Sequence, residues 1–267
     1  MSIFLKPTLW CAFALLFWTG AAASPFCRGQ EIKTQENGEK SKAEGEQLDS
    51  PKEIEEVKLV PTLGTVKVRR DRPSFNYQMV STALLPRDKE GIWVLDFAFR
   101  PLRIWTVELP GKGRRPIHYL YYKVVNRTGQ PRMFVPQFVM VTEEGKRFED
   151  QVIPEAIPII QAREDRTIPV LGAVSIMGVI PPSTKEGVDD AVYGAAVWDT
   201  WDNKADRFSI YVRGLSDGYK EISGQTASKP TVRYKTLRID FTRRGDERNI
   251  TEKEIELNDP PYEWLYW

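Results

Sequence analysis

The stretch HYLYYKVV, residues 118–125, decides the fold class. Its three tyrosines and two valines suit the pleated, half-buried surface of a β-strand. Similar runs lie nearby, IWVLDFAF at 92–99, RIWTVELP at 103–110 and MFVPQFVMV at 133–141. Turn signals such as NRTGQPR at 126–132 separate them. Short strands divided by such turns are typical of an all-β antiparallel sandwich or barrel.

The same pattern continues toward the C-terminus, where we predict the further strands SIMGVIP, AVYGAAVWD, RFSIYVRG and VRYKTLRIDF. One segment differs. EAIPIIQARED follows Pro154, a residue type that favours the first turn of a helix, so we predict one short helix at residues 155–163. The last eight residues, PPYEWLYW, are predicted to form an edge strand that completes the core; a platform of exposed rings is the alternative.

Residues 1–23 are predicted to be a secretory signal peptide. A single cation, Lys6, precedes an apolar run from Leu9 to Trp18, and Ala21 and Ala23 then fit the small-x-small pattern of a signal-peptidase site. An uncleaved membrane anchor is the alternative, because no charged residue lies between Lys6 and Arg28 and a spanning helix needs about 20 apolar residues. We therefore expect a protein that is secreted, periplasmic or attached to the cell envelope, and a membrane partner only if the signal is kept.

Residues 24–58 are predicted to be a disordered, charged tether. From residue 28 onward this stretch has no aromatic residue and is dense in Glu and Lys, so it cannot bury enough apolar surface to offset the entropy of ordering. Residues 59–267 remain for one β-sandwich domain with a substantial core. Cys27 is then the one cysteine left after signal cleavage, which excludes an internal disulfide and leaves pairing with another chain open. Lipidation of Cys27 is disfavoured because Phe26, which precedes it, is not small.

The chain resembles a family of uncharacterised secreted proteins from planctomycete bacteria. Two stretches carry the resemblance: residues 103–150, in which a long strand ends at an Asn-x-Thr-Gly turn and returns through Phe and Pro to a Glu-Gly-Lys hairpin, and YGAAVWDTWDNKADRFSIYVRGLSDGYK at 193–220. The resemblance implies an immunoglobulin-like β-sandwich outside the cytoplasm. Its motifs are structural, so it implies no catalytic residue.

No motif of the chain specifies an enzyme. GLSDG, which contains Ser216, matches the Gly-x-Ser-x-Gly nucleophile elbow, but no helical stripe and no histidine follows it. His118 is the only histidine, which argues against a nucleophilic triad and against a structural zinc site. A hydrolase with two converging carboxylates stays as an alternative, because sequence neighbours do not reveal the distance between two acids.

The stretch WDTWDNKAD gathers hard oxygen ligands in one loop. Asp199, Asp202, Asn203 and Asp206 are weak calcium candidates, although their spacing does not match an EF-hand loop. A polar hairpin loop is the alternative, because Asp and Asn favour turns. No other metal or cofactor is predicted.

The sequence therefore predicts a non-catalytic binding or structural domain whose partner is a protein or polysaccharide of the cell envelope. A carbohydrate- or ligand-binding module that uses exposed Trp105, Trp198 or Trp201 is the first alternative. The basic loop GKGRRP at 111–116 lacks the spacing of a phosphate cradle and is predicted to be a solvated hairpin tip. A formal net charge of +1 gives the chain no strong field for nucleic acid, so no such partner is expected.

Overall fold

The computed structural model describes residues 60–70, 77–82, 91–200, 202, 204–222, 231–244 and 254–267. Within them the protein consists of antiparallel β-sheets and one short helix, which confirms the predicted all-β class. The predicted signal peptide, tether and Cys27 lie outside the described residues, as do Trp201 and Asn203. In the described part of the chain no helix has the length and apolar character needed to cross a membrane.

The strands and the helix follow one another along the chain as β1 (Val66–Arg69), β2 (Gln78–Met79), β3 (Asp96–Phe99), β4 (Arg103–Leu109), β5 (Gly113–Val125), β6 (Arg132–Phe134), β7 (Gln137–Thr142), β8 (Arg147–Glu149), α1 (Ala156–Glu164), β9 (Gly178–Ile180), β10 (Val188–Trp198), β11 (Arg207–Arg213), β12 (Tyr219–Ile222), β13 (Thr231–Thr242) and β14 (Glu256–Tyr266).

Two six-stranded sheets form the body of the domain. Sheet I has the order β1–β10–β5–β3–β2, and β4 lies beside β3 along the same edge of β5. Sheet II has the order β12–β13–β11–β7–β8. In sheet II, β11 and β12 share one edge of β13, and β14 pairs with its other edge. A two-stranded sheet of β6 and β9 completes the fold.

The main core lies between the inner faces of the two sheets. The rings of Tyr122 on β5 and Phe138 on β7 are 4.8 Å apart between centroids, which fixes the sheets face to face as a sandwich. Alternation along each strand supplies the remaining core residues, which include Phe97, Val124, Val192, Met140, Ile210, Leu237, Ile239 and Phe241. Burial of this apolar surface is the main stabilising contribution to the fold.

The predicted helix is confirmed, because α1 covers residues 156–164 against the predicted 155–163. Ala156 and Ile160 face the outer side of sheet I and are buried there in a second, smaller core. The helix ends at Glu164, whose side chain is fully buried and accepts hydrogen bonds from Arg103 (2.7 Å) and Tyr119 (2.7 Å). Arg100 also pairs with Glu164. These contacts attach the helix to β4 and β5.

Two local predictions were wrong in extent. The loop GKGRRP is short, because β5 already begins at Gly113 and Arg114 and Arg115 pair with Glu108 and Val107 of β4. The stretch MFVPQFVMV is not one strand but two, β6 and β7, which belong to different sheets. Pro136 lies between them and has no N–H to donate to a continuous ladder.

The C-terminal segment forms the predicted edge strand. β14 pairs with β13, and Trp264 is buried in the main core with Tyr262 packed against it. Pro260 and Pro261 do not precede the strand, as the sequence suggested; they lie within it, where the pairing with β13 shifts register between Ile239 and Phe241. A bulge tolerates residues that cannot donate a ladder hydrogen bond.

Candidate functional site

The side of sheet II that points away from the core carries a group of aromatic and arginine side chains. The one helix of the described residues packs against sheet I, so it leaves this side open. Because side chains alternate between the two faces of a strand, the residues between the core positions point to this side. We call this group the outer face of sheet II; its members are Arg147, Tyr211, Arg213, Tyr219, Tyr234 and Trp267.

Trp267 lies at the centre of this face. Its ring stacks on Tyr211 with the centroids 4.4 Å apart. The guanidinium carbons of Arg213 and Arg147 lie 4.5 Å and 5.0 Å from the Trp267 ring centroid, and Arg213 Nη2 donates to the Trp267 carbonyl oxygen at 3.0 Å. Contacts between a cation and a ring face are attractive, so the tryptophan orients both arginines.

Tyr219 and Tyr234 provide the accessible rings of the face. They are directly opposite each other on β12 and β13, so their side chains point the same way with Cβ atoms about 5 Å apart. Their exposed fractions are 51% and 50%. The guanidinium carbon of Arg213 lies 5.8 Å from the Tyr234 ring centroid. Two half-exposed tyrosines therefore occupy paired strand positions, and one of them, Tyr234, lies beside a fixed cation.

A polar cleft of about 250 Å³ extends this side of the sheet past Tyr211. Ser209 Oγ in the cleft donates to Asp240 Oδ1 at 2.5 Å, and Asp240 also pairs with Arg238 at 3.1 Å. Burial by itself lowers the pKa of Arg238, but Asp240 and then Glu263 raise it further than burial lowers it. This end of the sheet thus presents hydroxyl and carboxylate groups beside the rings.

Two of the predicted calcium candidates, Asp199 and Asp202, form ion pairs with different lysines. Asp199 is buried and accepts a hydrogen bond from Lys112 Nζ at 2.6 Å, whereas Asp202 accepts one from Lys146 Nζ at 2.5 Å. Asp206 interacts through its backbone, its N–H donating to Glu143 at 3.3 Å, and Asn203 is not among the described residues. In the part of the chain that the structure describes, no group of three His, Cys, Asp or Glu is placed to hold a metal ion. Calcium binding here stays a prediction.

The structure corrects one of the three tryptophans that were predicted as exposed binding rings. Trp198 is fully buried, and its Nε1 donates to the Phe148 carbonyl oxygen at 3.2 Å, so it belongs to the core. Its position on the inner side of β10 follows from the pairing of that strand with β5. Trp105 is 38% exposed on sheet I, and the guanidinium of Arg163 lies 4.0 Å from its ring centroid. Trp201 is outside the described residues.

Ser216 and His118 each occupy a position that supports the fold. Ser216 Oγ donates to the Trp93 carbonyl oxygen at 2.7 Å, and Leu95 N–H donates to the Leu215 carbonyl oxygen at 2.8 Å, so the GLSDG turn ties sheet II to the segment before β3. His118 is buried on β5. Burial, and secondarily the charge of Arg243, lowers the pKa of His118 to about 3.

The buried carboxylates are held by arginines. Glu164 is paired with Arg100 and Arg103, and Asp189 is bonded by Arg127 at 2.7 Å and by Arg70 at 2.9 Å. Burial disfavours the charged form of Asp189, but hydrogen bonds from the two arginines outweigh it and lower the pKa. The same balance, with Tyr119 as the leading donor, lowers the pKa of Glu164. Both acids therefore act in ion pairs that join strands.

A second exposed surface consists of apolar residues. Val135, Val152, Val174 and Met177 are each at least 40% exposed and line two adjoining clefts of about 420 Å³ and 410 Å³. Arg213 lines the second cleft, so the apolar surface adjoins the outer face of sheet II. Together they form a continuous surface of mixed character.

The chain matches no protein-family model, no curated protein and no solved structure. Its function is therefore inferred from the geometry of the outer face of sheet II, which can bind by ring stacking, ion pairing and hydrogen bonding. No sequence pattern marked Tyr219, Tyr234, Arg147 or Arg213 as members of a site. A signal existed for Trp267 alone, because alternation in PPYEWLYW separates it from the core-facing Trp264.

Proposed function

We propose that this protein is a secreted or envelope-associated, non-catalytic binding domain with an immunoglobulin-like β-sandwich, and that it binds a polysaccharide of the cell envelope on the outer face of sheet II. The single observation that supports this most strongly is the pair of half-exposed rings, Tyr219 and Tyr234, held side by side on a sheet. Aromatic rings combine a large apolar surface with little conformational freedom to lose, which suits stacking on a sugar ring.

The polar cleft beyond Tyr211 complements these rings. Sugars present hydroxyl groups around an apolar ring face, and Ser209, Asp240 and Asn258 offer donors and acceptors along the same side of the sheet. An extended chain of sugar units can therefore contact rings at one end and polar groups at the other. This arrangement favours a polymer over a small molecule, because small-molecule sites are usually enclosed concavities.

The compartment is part of the proposal. The predicted signal peptide at residues 1–23, followed by the predicted charged segment at 24–58, supports export. The resemblance to secreted planctomycete proteins supports the same compartment. N-terminal sequencing of exported material tests it, with a mature chain that begins near residue 24 as the expected result.

Binding of the full-length chain to soluble hydroxyethyl cellulose and polygalacturonate, followed by calorimetry, tests the function. We expect at least one polymer to bind, and Tyr219→Ala and Tyr234→Ala each to weaken binding by about three- to tenfold, equivalent to ~0.7–1.4 kcal/mol. Trp105→Ala is the matched control, because it removes an exposed ring from sheet I. Loss of binding in Trp105→Ala with unchanged tyrosine variants would place the platform on sheet I instead.

A further inference from the structure

We propose that the bound polysaccharide is acidic, and that its carboxylate or sulfate groups pair with Arg147 and Arg213. This inference rests on the proposed function and names the class of ligand for the same face. It depends on which arginines of this face lack an acidic side chain as a partner.

Arg213 and Arg147 differ from the other arginines around them. Arg238 pairs with Glu263 at 3.0 Å, and Arg207 lies 4.0 Å from Glu143. By contrast, neither Arg213 nor Arg147 pairs with a side-chain carboxylate among the described residues; Arg213 instead donates to a main-chain oxygen of Trp267 at 3.0 Å. On this side of the sheet, the two arginines that lack a side-chain acid as partner thus both lie against Trp267.

Both guanidinium groups are already oriented before a ligand arrives. Arg213 is fixed by its contact with the Trp267 ring and by the hydrogen bond of its Nη2 to the Trp267 carbonyl oxygen. Its Nε is buried and has no acceptor among the described residues. Arg147 approaches the same ring from β8. A preorganised arginine loses less side-chain entropy on binding, which favours recognition of a carboxylate or sulfate.

The spacing of rings and cations matches a charged sugar. A sugar stacked on Tyr234 lies next to Arg213, whose guanidinium carbon is 5.8 Å from that ring centroid. An acidic substituent at the rim of the sugar can then reach the guanidinium while the apolar sugar face stays on the tyrosine. Glu149, two residues beyond Arg147 on the same face of β8, is exposed and forms no ion pair with either arginine among the described contacts.

The test compares four polymers on the full-length chain by calorimetry: polygalacturonate, dextran sulfate, neutral hydroxyethyl cellulose and single-stranded DNA. We expect polygalacturonate or dextran sulfate to bind more tightly than hydroxyethyl cellulose, and the affinity to fall as salt is raised. Arg147→Gln and Arg213→Gln should each weaken binding of the acidic polymer about tenfold, since each removes a charge-assisted contact. Comparison of the two acidic polymers distinguishes carboxylate from sulfate as the preferred group.

The matched control is Arg244→Gln, which removes the same charge from an exposed arginine paired with Glu256, and it should leave the affinity unchanged. Because Arg213 also supports Trp267, Arg147→Gln provides the independent variant, and a melting curve checks that each protein is folded. If neutral and acidic polymers bind equally and both arginine variants bind as the wild type does, the inference is wrong while the proposed function stands. If no polysaccharide binds, the proposed function itself is wrong. Tighter binding of DNA than of every polysaccharide also overturns the inference.

Discussion

The indole ring of Trp267 stacks on Tyr211, 4.4 Å between centroids, although the two residues lie on opposite sides of β13. The ring therefore crosses the central strand of sheet II and joins the edge strand β14 to β11. Trp264, three residues earlier, points the other way into the core. One strand thus contributes to both faces of the sheet.

The two tryptophans should differ in their effect on stability. Trp264→Ala opens a cavity in the core and should lower the free energy of unfolding by about 3–5 kcal/mol. Trp267→Ala loses the ring stack and the contacts with two arginines, which should cost about 1–2 kcal/mol. Tyr219→Ala, at a half-exposed position, is the control and should change stability by less than about 0.5 kcal/mol. Urea denaturation followed by tryptophan fluorescence and circular dichroism measures all three, and equal losses for Trp264 and Trp267 would contradict this division of roles.

Glu164→Gln should destabilise the protein strongly. The substitution removes the negative charge that compensates Arg100 and Arg103, whose side chains are only 16% and 14% exposed. Breaking a buried ion pair by changing one partner costs about 3–5 kcal/mol, because the remaining charges stay buried. Glu144→Gln, which changes an exposed carboxylate 2.8 Å from Lys146, should have almost no effect. Thermal unfolding compares the variants, and a similar melting temperature for both would show that the Glu164 pairs are dispensable.

The stability of the protein should fall as the pH decreases below 6.5. Burial keeps His118 neutral in the folded state with a pKa of about 3, whereas in the unfolded chain it binds a proton at its ordinary pKa of 6.5. Below pH 6.5 the unfolded state therefore binds more protons, so its free energy falls relative to the folded state by up to about 1.4 kcal/mol per pH unit. The contribution is fully present above pH 6.5.

This pH dependence can be assigned cleanly, because His118 is the only histidine of the chain. We expect His118→Gln to flatten the stability profile between pH 6.5 and 5, whatever its effect on the absolute stability. Urea titrations at pH 7, 6 and 5 give the slope for each protein. The same slope in wild type and variant would assign the proton uptake to other groups.

Residues Asn126, Arg127 and Thr128 form an N-glycosylation sequon, and Asn126 should stay unglycosylated in a host that modifies such sites. The Asn126 side chain is fully buried, and its Nδ2 donates to the carbonyl oxygens of Gln130 (2.7 Å) and Ile180 (2.8 Å). A glycan on that nitrogen would replace one of its two hydrogens, so one of these bonds would be lost, and the sugar would not fit at a fully buried side chain. Asn126→Ala should lower stability by about 1–3 kcal/mol because buried carbonyl groups lose their donor. Thr128→Ala removes the same sequon and keeps the amide, so it should cost less; peptide mapping that finds a glycan on Asn126 of folded protein would contradict the assignment.

Much of the secondary structure could be predicted from local patterns. HYLYYKVV lies in a strand, the helix was placed to within a residue, and PPYEWLYW forms an edge strand. These elements depend on residue types and on alternation over a few positions, which the sequence contains directly. The division of MFVPQFVMV between two sheets was missed, since it depends on which distant strand each half finds as a partner.

The candidate site depends on tertiary contacts more than the secondary structure does. Local patterns alone predict that the chain forms strands with aromatic residues at alternating positions and that Trp264 and Trp267 face opposite ways. Contacts between distant segments, in contrast, bury Trp198, pair Asp199 and Asp202 with separate lysines, and place Tyr219 opposite Tyr234. Pairing between strands brings together residues far apart in the chain, and a register shift of one position would turn Trp198, Tyr219 or Tyr234 to the other face of its sheet. Asp199 and Asp202 lie between β10 and β11, and their lysine partners come from other turns of the fold.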